Sequence, residues 1–478
     1  MTTRSMRIAI EGCCHGQLDN IYDTIKHDEL ATGKKVDLVL ICGDFQAVRN
    51  MSDLACMSVP DKYKKIGNFW KYYSGKVKAP YPTIFIGGNH EASNYLWELY
   101  YGGWVCDNIY YLGNAGVINF GGLRIAGLSG IYSEHSYYRT HYEVSPYNSS
   151  EKRSVYHVRD YDVKKLLQIR EPVDIFLSHD WPRGIERHGD VQDLIKRKPF
   201  FEKEILSRRL GSFPNELLLS KIQPARWFAA HLHVRYEAEI DHNNKDNYTD
   251  STKQLLEKHN IPVAKNLDEI KIEDDDDDND NGSNDSATEK DSKPPKTTKF
   301  LSLDKCLPHH QYLEIIDVPV SCDENDEPDF YYDLEWLSIT RAMNKYLSVS
   351  RQHIPMPSDE KLKEEIAKER EQLEKQKQHN VLDLKIPHNF EPTAPAHGTD
   401  TGGRNMFMQL QRPFFNPQTD LFCKVIGIEN KINANGQRVN EVNNTETSIN
   451  DSSQDTKRQK VAEETIQSEI TIDESEFL

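Results

Sequence analysis

Short apolar runs alternate with amphipathic stretches and turns from residue 6 to about residue 240. The runs have the length of strands, and Gly, Asp, Asn or Pro bounds most of them, which is typical of buried β-strands. The predicted strands are Ile8–Ile10, Val36–Cys42, Thr83–Ile86, Val117–Phe120, Leu123–Leu128, Val173–Ser178, Trp227–Ala230 and Tyr236–Ile240. Gly121 and Gly122 predict a hairpin turn between the fourth and fifth of these strands.

Amphipathic segments between the runs predict helices at Leu18–His27, Ser93–Tyr101, Tyr161–Arg170 and Asp193–Arg208. Strands that alternate with helices indicate an α/β layered fold whose strand ends point towards one rim. Functional residues of such folds gather on the loops that follow the strands.

The character of the chain changes at about residue 241. Residues 241–298 contain a long acidic run and few apolar residues, which predicts a disordered insertion. Strand-like patterning resumes at 298–319 and is followed by further helices, among them Asp359–Gln378. That helix pairs opposite charges at a spacing of four residues, and we interpret it as a solvated helix or linker. Residues 429–478 are rich in Asn, Ser, Thr and Glu, which predicts a disordered tail.

The net charge of −17 is unevenly distributed along the 478 residues. Residues 1–240 hold 31 Lys and Arg against 28 Asp and Glu, whereas the remainder holds 28 against 48. The acidity therefore does not exclude a polyanionic substrate for the first half.

The eight cysteines have no disulfide-scaffold spacing, and neither a signal peptide nor a membrane-spanning run is visible, so we expect a reducing intracellular compartment.

Polar clusters follow five of the predicted strands. They are Cys13-Cys14-His15, Gly43-Asp44, Gly87-Gly88-Asn89-His90 with Glu91, Ser178-His179-Asp180, and His231-Leu232-His233. A lone histidine after a strand is more often a hydrogen-bonded structural residue. Five clusters in succession, each introduced by a buried strand, instead favour a site with metal ligands and proton-transfer groups.

The residue types indicate a centre that holds two metal ions. A single carboxylate among mostly neutral ligands can bridge two cations, and Asp44 is the candidate. Imidazoles supply softer ligands, and a His-x-His sequence lets alternate residues reach the same centre. Cys13 and Cys14 face opposite sides of an extended segment, so we expect Cys14 to pack as a small hydrophobic residue while Cys13 and His15 bind metal.

The order of these clusters resembles the metallophosphoesterase superfamily, whose pattern is Asp-x-His, Gly-Asp, Gly-Asn-His-Asp/Glu, His and Gly-His-x-His. The chain departs from that pattern at Cys13 and Ala230, which stand at the positions of an aspartate and a glycine. With "EGCCHGQLDNIY", "FLSHDWPRGI", "AAHLHVRYEA" and "TKFLSLDKCLP", it is similar to one branch, the intron lariat debranching enzymes. The acidic insertion and the tail are not covered by the resemblance.

The resemblance implies a metallophosphoesterase-type layered β-sandwich flanked by helices. It implies a catalytic domain at 1–240 and a C-terminal domain at 299–428, with a lariat-recognition loop at about 130–160. It also implies two metal pockets that share Asp44. One pocket is Cys13, His15, Asp44 and His233, and the other is Asp44, Asn89, His179 and His231.

The implied reaction is hydrolysis of the 2′–5′ phosphodiester bond at the branch point of excised intron RNA, which linearises the lariat for turnover. A hydroxide produced between two divalent metal ions attacks phosphorus, and His90 donates a proton to the departing 2′ oxygen. A thiolate at Cys13 favours Fe(II) or Zn(II) over Mg(II), and Mn(II) is expected to support activity.

Selection of a branched RNA requires contacts beyond the metal centre. The segment 130–160 is rich in Tyr, His, Arg and Lys, which offer stacking surfaces for bases and cations for phosphates. An ordinary surface loop is the alternative for this segment. The candidate RNA-binding residues are Tyr132, Tyr137, Tyr138, Arg139, His141, Tyr156, His157 and Arg159.

Two other functions remain open from sequence. A generic metallophosphoesterase, such as a phosphoprotein phosphatase or a nucleotide phosphodiesterase, would share the metal centre, and an RNA-binding scaffold would retain the loop without turnover. We expect a monomer with no membrane association. The implied substrate indicates a nuclear location, with the cytoplasm as an additional one. The short basic run at 456–460 is weak support for nuclear import.

Overall fold

A computed structural model describes residues 3–243, 297–321, 328–399 and 410–433, together with the single residues 254, 407 and 436. Most of the acidic insertion and of the C-terminal tail lies outside the described residues, so their predicted disorder stays a prediction. None of the helices in the described part has the length and apolar composition needed to cross a bilayer.

All eight strands predicted in the first half are present, and so is the hairpin at Gly121 and Gly122, which have φ angles of 54° and 85°. The apolar pattern did not predict β4, β5 and β13. The strands are β1 Thr3–Glu11, β2 Leu38–Ile41, β3 Thr83–Phe85, β4 Gly103–Cys106, β5 Ile109–Tyr111, β6 Ala115–Phe120, β7 Leu123–Leu128, β8 Ile175–Ser178, β9 Arg226–Ala229, β10 Tyr236–Asp241, β11 Thr297–Ser302, β12 Leu313–Ser321 and β13 Phe330–Tyr332.

The helices confirm most of the amphipathic segments, with one correction. They are α1 Leu18–Thr32, α2 Met51–Cys56, α3 Phe69–Tyr73, α4 Ser93–Glu98, α5 Glu134–Tyr137, α6 Ser149–Ser154, α7 Asp160–Leu166, α8 Val191–Arg197, α9 Phe201–Leu206, α10 Phe213–Ile222, α11 Leu334–Met343, α12 Asp359–Gln378 and α13 Pro417–Ile426. The single helix predicted at Asp193–Arg208 is wrong, because Pro199 separates α8 from α9. Proline disfavours a helical conformation of the residue before it and has no N–H to donate.

The strands form two sheets packed face to face, as the layered α/β prediction requires. One sheet has the order β12-β1-β2-β3-β5-β4, and the other has the order β10-β11-β9-β8-β7-β6-β13. Side chains such as Ile8 and Leu40 from the first sheet meet Ile125, Leu177 and Phe228 from the second in one buried cluster. Alternate residues of β1 and β2, such as Ala9 and Val39, point the other way into a cluster that includes α1.

Strands from the second half of the chain complete both sheets. β12 pairs antiparallel with β1 along its whole length, and β11 lies between β9 and β10. The division into domains at 1–240 and 299–428 remains a prediction, but the two halves share their hydrogen-bonded sheets. β1, whose carboxyl end leads to Cys13 and His15, is therefore held between β2 and a strand from the second half.

The interpretation of Asp359–Gln378 as a solvated helix or linker is wrong, although both ends of the prediction match α12. Leu362 and Leu373 are buried, and Leu373 joins Leu337 in a cluster with α13. Arg341 of α11 also forms an ion pair with Glu369 at 2.7 Å. Two leucines among many charged residues are a weak indication in the sequence that a helix packs against the core. Contact with α11 is what makes α12 a packed helix.

Leu373→Ala should lower the free energy of unfolding by about 2–5 kcal/mol, because it removes a fully buried side chain and leaves a cavity. Urea denaturation followed by circular dichroism measures the change. Leu30→Ala is the control, since Leu30 lies on α1 and is 76% exposed, and it should change stability by less than about 0.5 kcal/mol. Equal, small effects of the two substitutions would support the solvated helix instead.

Candidate metal centre and active site

Five parallel strand ends carry the polar clusters to one edge of the sandwich. β1, β2 and β3 run parallel in the first sheet, and β8 and β9 run parallel in the second. The loops after these strands hold all seven predicted metal ligands together with His90. They are Cys13 and His15 after β1, Asp44 after β2, Asn89 and His90 after β3, His179 after β8, and His231 and His233 after β9.

The buried carboxylate of Asp44 lies at the centre of the site. Its Oδ1 accepts the backbone N–H of His90 at 2.8 Å and lies 3.4 Å from Nε2 of His179. Its Oδ2 lies 3.7 Å from Nδ1 of His90 and 3.8 Å from Nε2 of His15. The two oxygens therefore face different groups of side chains, which is the arrangement that a bridging ligand requires.

The first predicted pocket brings its four residues together. One ligand atom from each of Cys13, His15, Asp44 and His233 lies within 4.8 Å of the others. The Nε2 atoms of His15 and His233 are 3.3 Å apart, and Sγ of Cys13 accepts the backbone N–H of His231 at 3.3 Å. Two imidazoles, a thiol sulfur and a carboxylate converging on one point form a donor set suited to Zn(II) or Fe(II).

The second predicted pocket lies on the other side of Asp44. Nε2 of His179 is 3.2 Å from Oδ1 of Asn89, and the His231 ring is 5.0 Å from the His179 ring. Nδ1 of His179 donates to the carbonyl of Cys42 at 2.8 Å, which leaves the Nε2 lone pair available to a cation. These residues fit a second divalent cation.

Burial sets the protonation of the ligands. It lowers the pKa of His15 to about 4 and that of His231 to about 3, so both rings are neutral near pH 7. Burial alone would raise the pKa of Asp44, but the charges of His179 and His90 hold it well below its usual range. Burial and then Asp44 raise the pKa of the Cys13 thiol, and a bound cation acts in the opposite direction by stabilising the thiolate.

The loops of the site adopt backbone conformations that side chains rarely take. Among the described residues, ten other than glycine have positive φ, and five of them are in the site. These are His15, Asp44, Gln46, His231 and His233. Such conformations cost energy and persist where the surrounding structure enforces them, which is typical of functional sites.

Two glycines of these loops, Gly43 and Gly88, are essential to the close approach of the metal ligands. A Cβ at Gly43 would lie 2.3 Å from Nδ1 of His179. A Cβ at Gly88 would lie 2.2 Å from Oδ1 of Asp44 and 2.7 Å from Nε2 of His179. A Cβ at Gly87 would meet side-chain atoms alone, the nearest being the end of Leu96 at 3.1 Å, so the requirement for glycine there is less strict.

Glu91 received no role from the sequence, yet it fastens two of the loops to each other. Its buried carboxylate accepts backbone N–H groups of Phe45 at 2.7 Å, Gln46 at 2.9 Å and Gly88 at 3.1 Å. Burial and then Asp44 raise its pKa to about 8. The side chain thus holds the loop of Asp44 against the loop of Asn89 and His90.

His90 is buried beside Asp44 but belongs to neither pocket. Its ring is 5.5 Å from that of His15, and its Nδ1 has no hydrogen-bond partner among the described residues. The ring of His15 beside it has its own contact, because Nε2 of Gln46 lies 3.2 Å from Nδ1 of His15. His90 is therefore positioned next to the metal ligands with its ring atoms uncommitted.

The predicted recognition segment is only partly a surface loop. Arg159 is fully buried and pairs with Glu143 at 2.6 Å, and buried His141 bonds to Asp162 at 2.7 Å. Tyr137 is buried as well, so the expectation that these three side chains present themselves to RNA is wrong. Each sits in a polar or aromatic network that composition alone does not reveal.

The other five candidates are at least partly accessible. Tyr138 is 68% exposed, and Arg139 contacts His135 and Tyr142 on the same surface. The remaining three, Tyr132, Tyr156 and His157, are partly buried. Nδ1 of His157 lies 2.9 Å from the Ser136 hydroxyl, and burial followed by Arg159 lowers the pKa of His157 to about 3, so that ring is neutral.

The prediction that Cys14 packs as a small hydrophobic residue agrees with the structure. Cys14 is buried in the cluster that contains α1, on the opposite side of the first sheet from the sandwich interior. All seven cysteines that the structure describes are free, and the eighth, Cys322, lies outside the described residues.

Comparison with known proteins gives two family matches and a set of close relatives. Residues 6–235 match the model of the calcineurin-like phosphoesterases, and residues 295–431 match that of the lariat debranching enzyme C-terminal domain. A protein of Arabidopsis thaliana named lariat debranching enzyme is 44% identical over 88% of this chain and 86% of its own length. A relative of the same name in Schizosaccharomyces pombe is 44% identical over 89% of this chain and 96% of its own length. Another, in Homo sapiens, is 42% identical over 88% of this chain and 69% of its own length.

Gly88→Ala should abolish binding of at least one metal ion, because the new methyl group displaces Asp44 or His179. Inductively coupled plasma mass spectrometry of the purified protein measures the number of metal ions bound per chain. Gly75→Ala is the control, since a Cβ there meets nothing within 4 Å, although its positive φ costs about 1 kcal/mol of stability. Wild-type metal content in Gly88→Ala would contradict the proposed close approach.

Proposed function

This chain belongs to the lariat debranching enzyme family, and from that premise we propose that it hydrolyses the 2′–5′ phosphodiester bond at the branch point of intron lariat RNA. The product is a linear RNA that carries a 5′ phosphate end and a free 2′ hydroxyl at the former branch point. The observation that carries the proposal is the placement of Asp44, whose two oxygens face two sets of metal ligands while its Oδ1 accepts the N–H of His90.

The ligand sets supply the part of the reaction that acts on phosphorus. Divalent cations, when bound there, would lower the pKa of a water molecule and neutralise the charge that develops on the phosphate oxygens. Asp44 and the surrounding imidazoles would hold those cations, and Glu91 and Gly88 hold the loop of Asp44 close to the loop of Asn89 and His90. The site is thereby organised before the substrate arrives, which lowers the cost of reorganisation.

His90 is proposed as the general acid. Its ring lies next to Asp44 and outside both ligand sets, so a proton on it can reach the departing 2′ oxygen of the branch nucleotide. The backbone N–H of His90 also bonds to Asp44, which fixes the ring relative to the ligands. General acids placed in this way contribute about 10²–10⁴-fold to the rate.

The RNA-binding face is proposed at the accessible part of the 130–160 segment. Tyr138 and Tyr132 offer aromatic faces on which unpaired bases can stack, and Arg139 offers a cation for a phosphate. Tyr156 and His157 complete this face. The buried Arg159 instead supports the face from beneath through Glu143 and the carbonyl of Ser136.

We propose Fe(II) or Zn(II) as the metal ions, with Mn(II) able to support activity. The thiol of Cys13 and two imidazoles favour these borderline cations over Mg(II). We propose that the protein acts as a monomer, and the proposed substrate implies action in the nucleus, with the cytoplasm as an additional location. Its protein partners are left open.

His90→Ala should lower kcat on branched RNA about 10²–10⁴-fold while it leaves metal content unchanged, because the backbone N–H that bonds to Asp44 is retained. Gel analysis of a labelled branched RNA with Mn(II) or Fe(II) measures conversion to the linear product. His27→Ala is the matched control, since His27 is exposed on α1, and it should behave as wild type.

Three results would change these assignments. Wild-type turnover by His90→Ala would remove the residue from its role as general acid. Efficient cleavage of small phosphoesters without any action on branched RNA would favour the generic phosphoesterase. Tight binding of branched RNA by metal-loaded protein without cleavage would favour a scaffold.

Cys13→Asp should shift metal preference from Zn(II) and Fe(II) towards Mn(II), because a carboxylate replaces a soft thiolate. Metal analysis of protein purified without added metal, together with activity after loading with each cation, measures the shift. Cys14→Ala is the control and should retain the wild-type preference, because Cys14 packs in the apolar cluster next to α1. An equal change in both variants would show that the effect arises from packing.

A further inference from the structure

The segment after β11 passes directly over the first metal pocket. The backbone N–H of Cys13 donates to the carbonyl of Asp304 at 3.2 Å, and that of Cys306 donates to the carbonyl of Cys13 at 3.1 Å. These bonds make a parallel β-bridge between Cys13 and Lys305. The contact is close enough that a Cβ at Gly12 would lie 2.1 Å from the carbonyl oxygen of Asp304.

The bridge determines the direction of the Lys305 side chain. Residues that pair across neighbouring strands project to the same face of the sheet. Since the sulfur of Cys13 belongs to the first pocket, the side chain of Lys305 extends on the side of that pocket. Its positive charge also contributes, after larger causes, to the lowered pKa values of His15 and His233.

Lys305 lacks the carboxylate partners that the buried arginines of the protein have, and buried Lys165, which also has none within 4 Å among the described residues, lies over the Trp336 ring instead. Lys305 is only 8% exposed, yet no carboxylate lies within 4 Å of its ammonium group in the part of the chain that the structure describes. The carboxylate of the adjacent Asp304 instead lies 2.9 Å from Nδ1 of His310. Buried Arg49 and Arg124, by contrast, each pair with two carboxylates.

The Lys305 side chain is buried, and the charge of Lys198 repels its ammonium group while that of the adjacent Asp304 attracts it. A charge removed from water is costly unless it is paired, and a bound anion would supply the ion pair that Lys305 lacks among the described residues. The anion would lie beside Cys13 and His15, at the metal pocket where the proposed function requires a phosphodiester. Lysine binds phosphate as a point charge, without demanding one orientation.

We propose that Lys305 binds a non-bridging oxygen of the scissile phosphodiester at the first pocket. The proposal rests on the proposed function, and it makes the second half of the chain part of the substrate-binding site. Lys305 neither ligates metal nor transfers a proton. It offsets the charge of the phosphate on the side where Cys13, His15 and His233 converge.

Lys305→Met tests this role, because methionine retains most of the apolar stem and removes the charge. Loss of a charge-assisted hydrogen bond should raise KM for branched RNA about tenfold or more. The dependence of log KM on log salt concentration should weaken by about 0.7, since one fewer phosphate charge is neutralised. Lys305→Arg should recover most of the affinity.

Two controls separate the proposed contact from structural damage. Lys34→Met removes an exposed lysine that precedes β2, at the sheet edge opposite Asp44, and should leave KM and its salt dependence unchanged. Metal content and the urea midpoint of Lys305→Met should equal those of wild type. Lost metal, or unchanged KM and salt dependence, would overturn the proposal.

Bis(4-nitrophenyl) phosphate distinguishes failure of this proposal from failure of the proposed function. Wild-type protein that cleaves this diester but not branched RNA would refute debranching, and Lys305→Met should still raise KM for the diester. If Lys305→Met raises KM for branched RNA alone, the residue contacts another phosphate and the assignment to the scissile group is wrong.

Discussion

The burial of the Asp44 carboxylate is the constraint on which the rest of the site depends. A negative charge removed from water costs several kcal/mol unless opposite charges and hydrogen-bond donors surround it. Three imidazoles and the N–H of His90 supply this surrounding, and they come from the ends of strands in both sheets. The sandwich must therefore bring both sheets to one edge before the carboxylate can be accommodated.

The loops absorb the strain that this convergence creates. Positive φ angles at His15, His231 and His233 turn their rings inward over very short loops. Asp44 and His179 can approach closely because Gly43 and Gly88 have no side chains. Strain at several positions is tolerable only when stronger contacts oppose it. The hydrogen bonds that Glu91 accepts from three backbone N–H groups, together with the pairing of the strands behind the loops, stabilise these conformations.

The sequence was sufficient to predict the strands of the first half and the residues at their ends, because both follow from local patterns. Buried strands read as apolar runs, and parallel strands deliver the residues that follow them to one edge. Long-range contacts determine the features that it missed. In the sequence, Arg159 has the properties of a cation that binds RNA, but in the structure it is paired with Glu143. Likewise, the sequence of α12 indicates a solvated helix, but in the structure α12 packs against α11. Neither partner can be identified from spacing along the chain.

The bridge between Cys13 and Lys305 illustrates the same limit at the centre itself. The run that contains Lys305 resembles the family, but nothing in its composition indicates which strand it meets. Register between strands is specified by the burial of whole faces, so the pairing of β12 with β1 and of β11 with β9 must form first. Once both pairings exist, the connection between β11 and β12 has to cross Gly12 and Cys13. The position of Lys305 is thus a consequence of sheet order, and a polar residue in this connection reaches the metal ligands without any loop dedicated to that purpose.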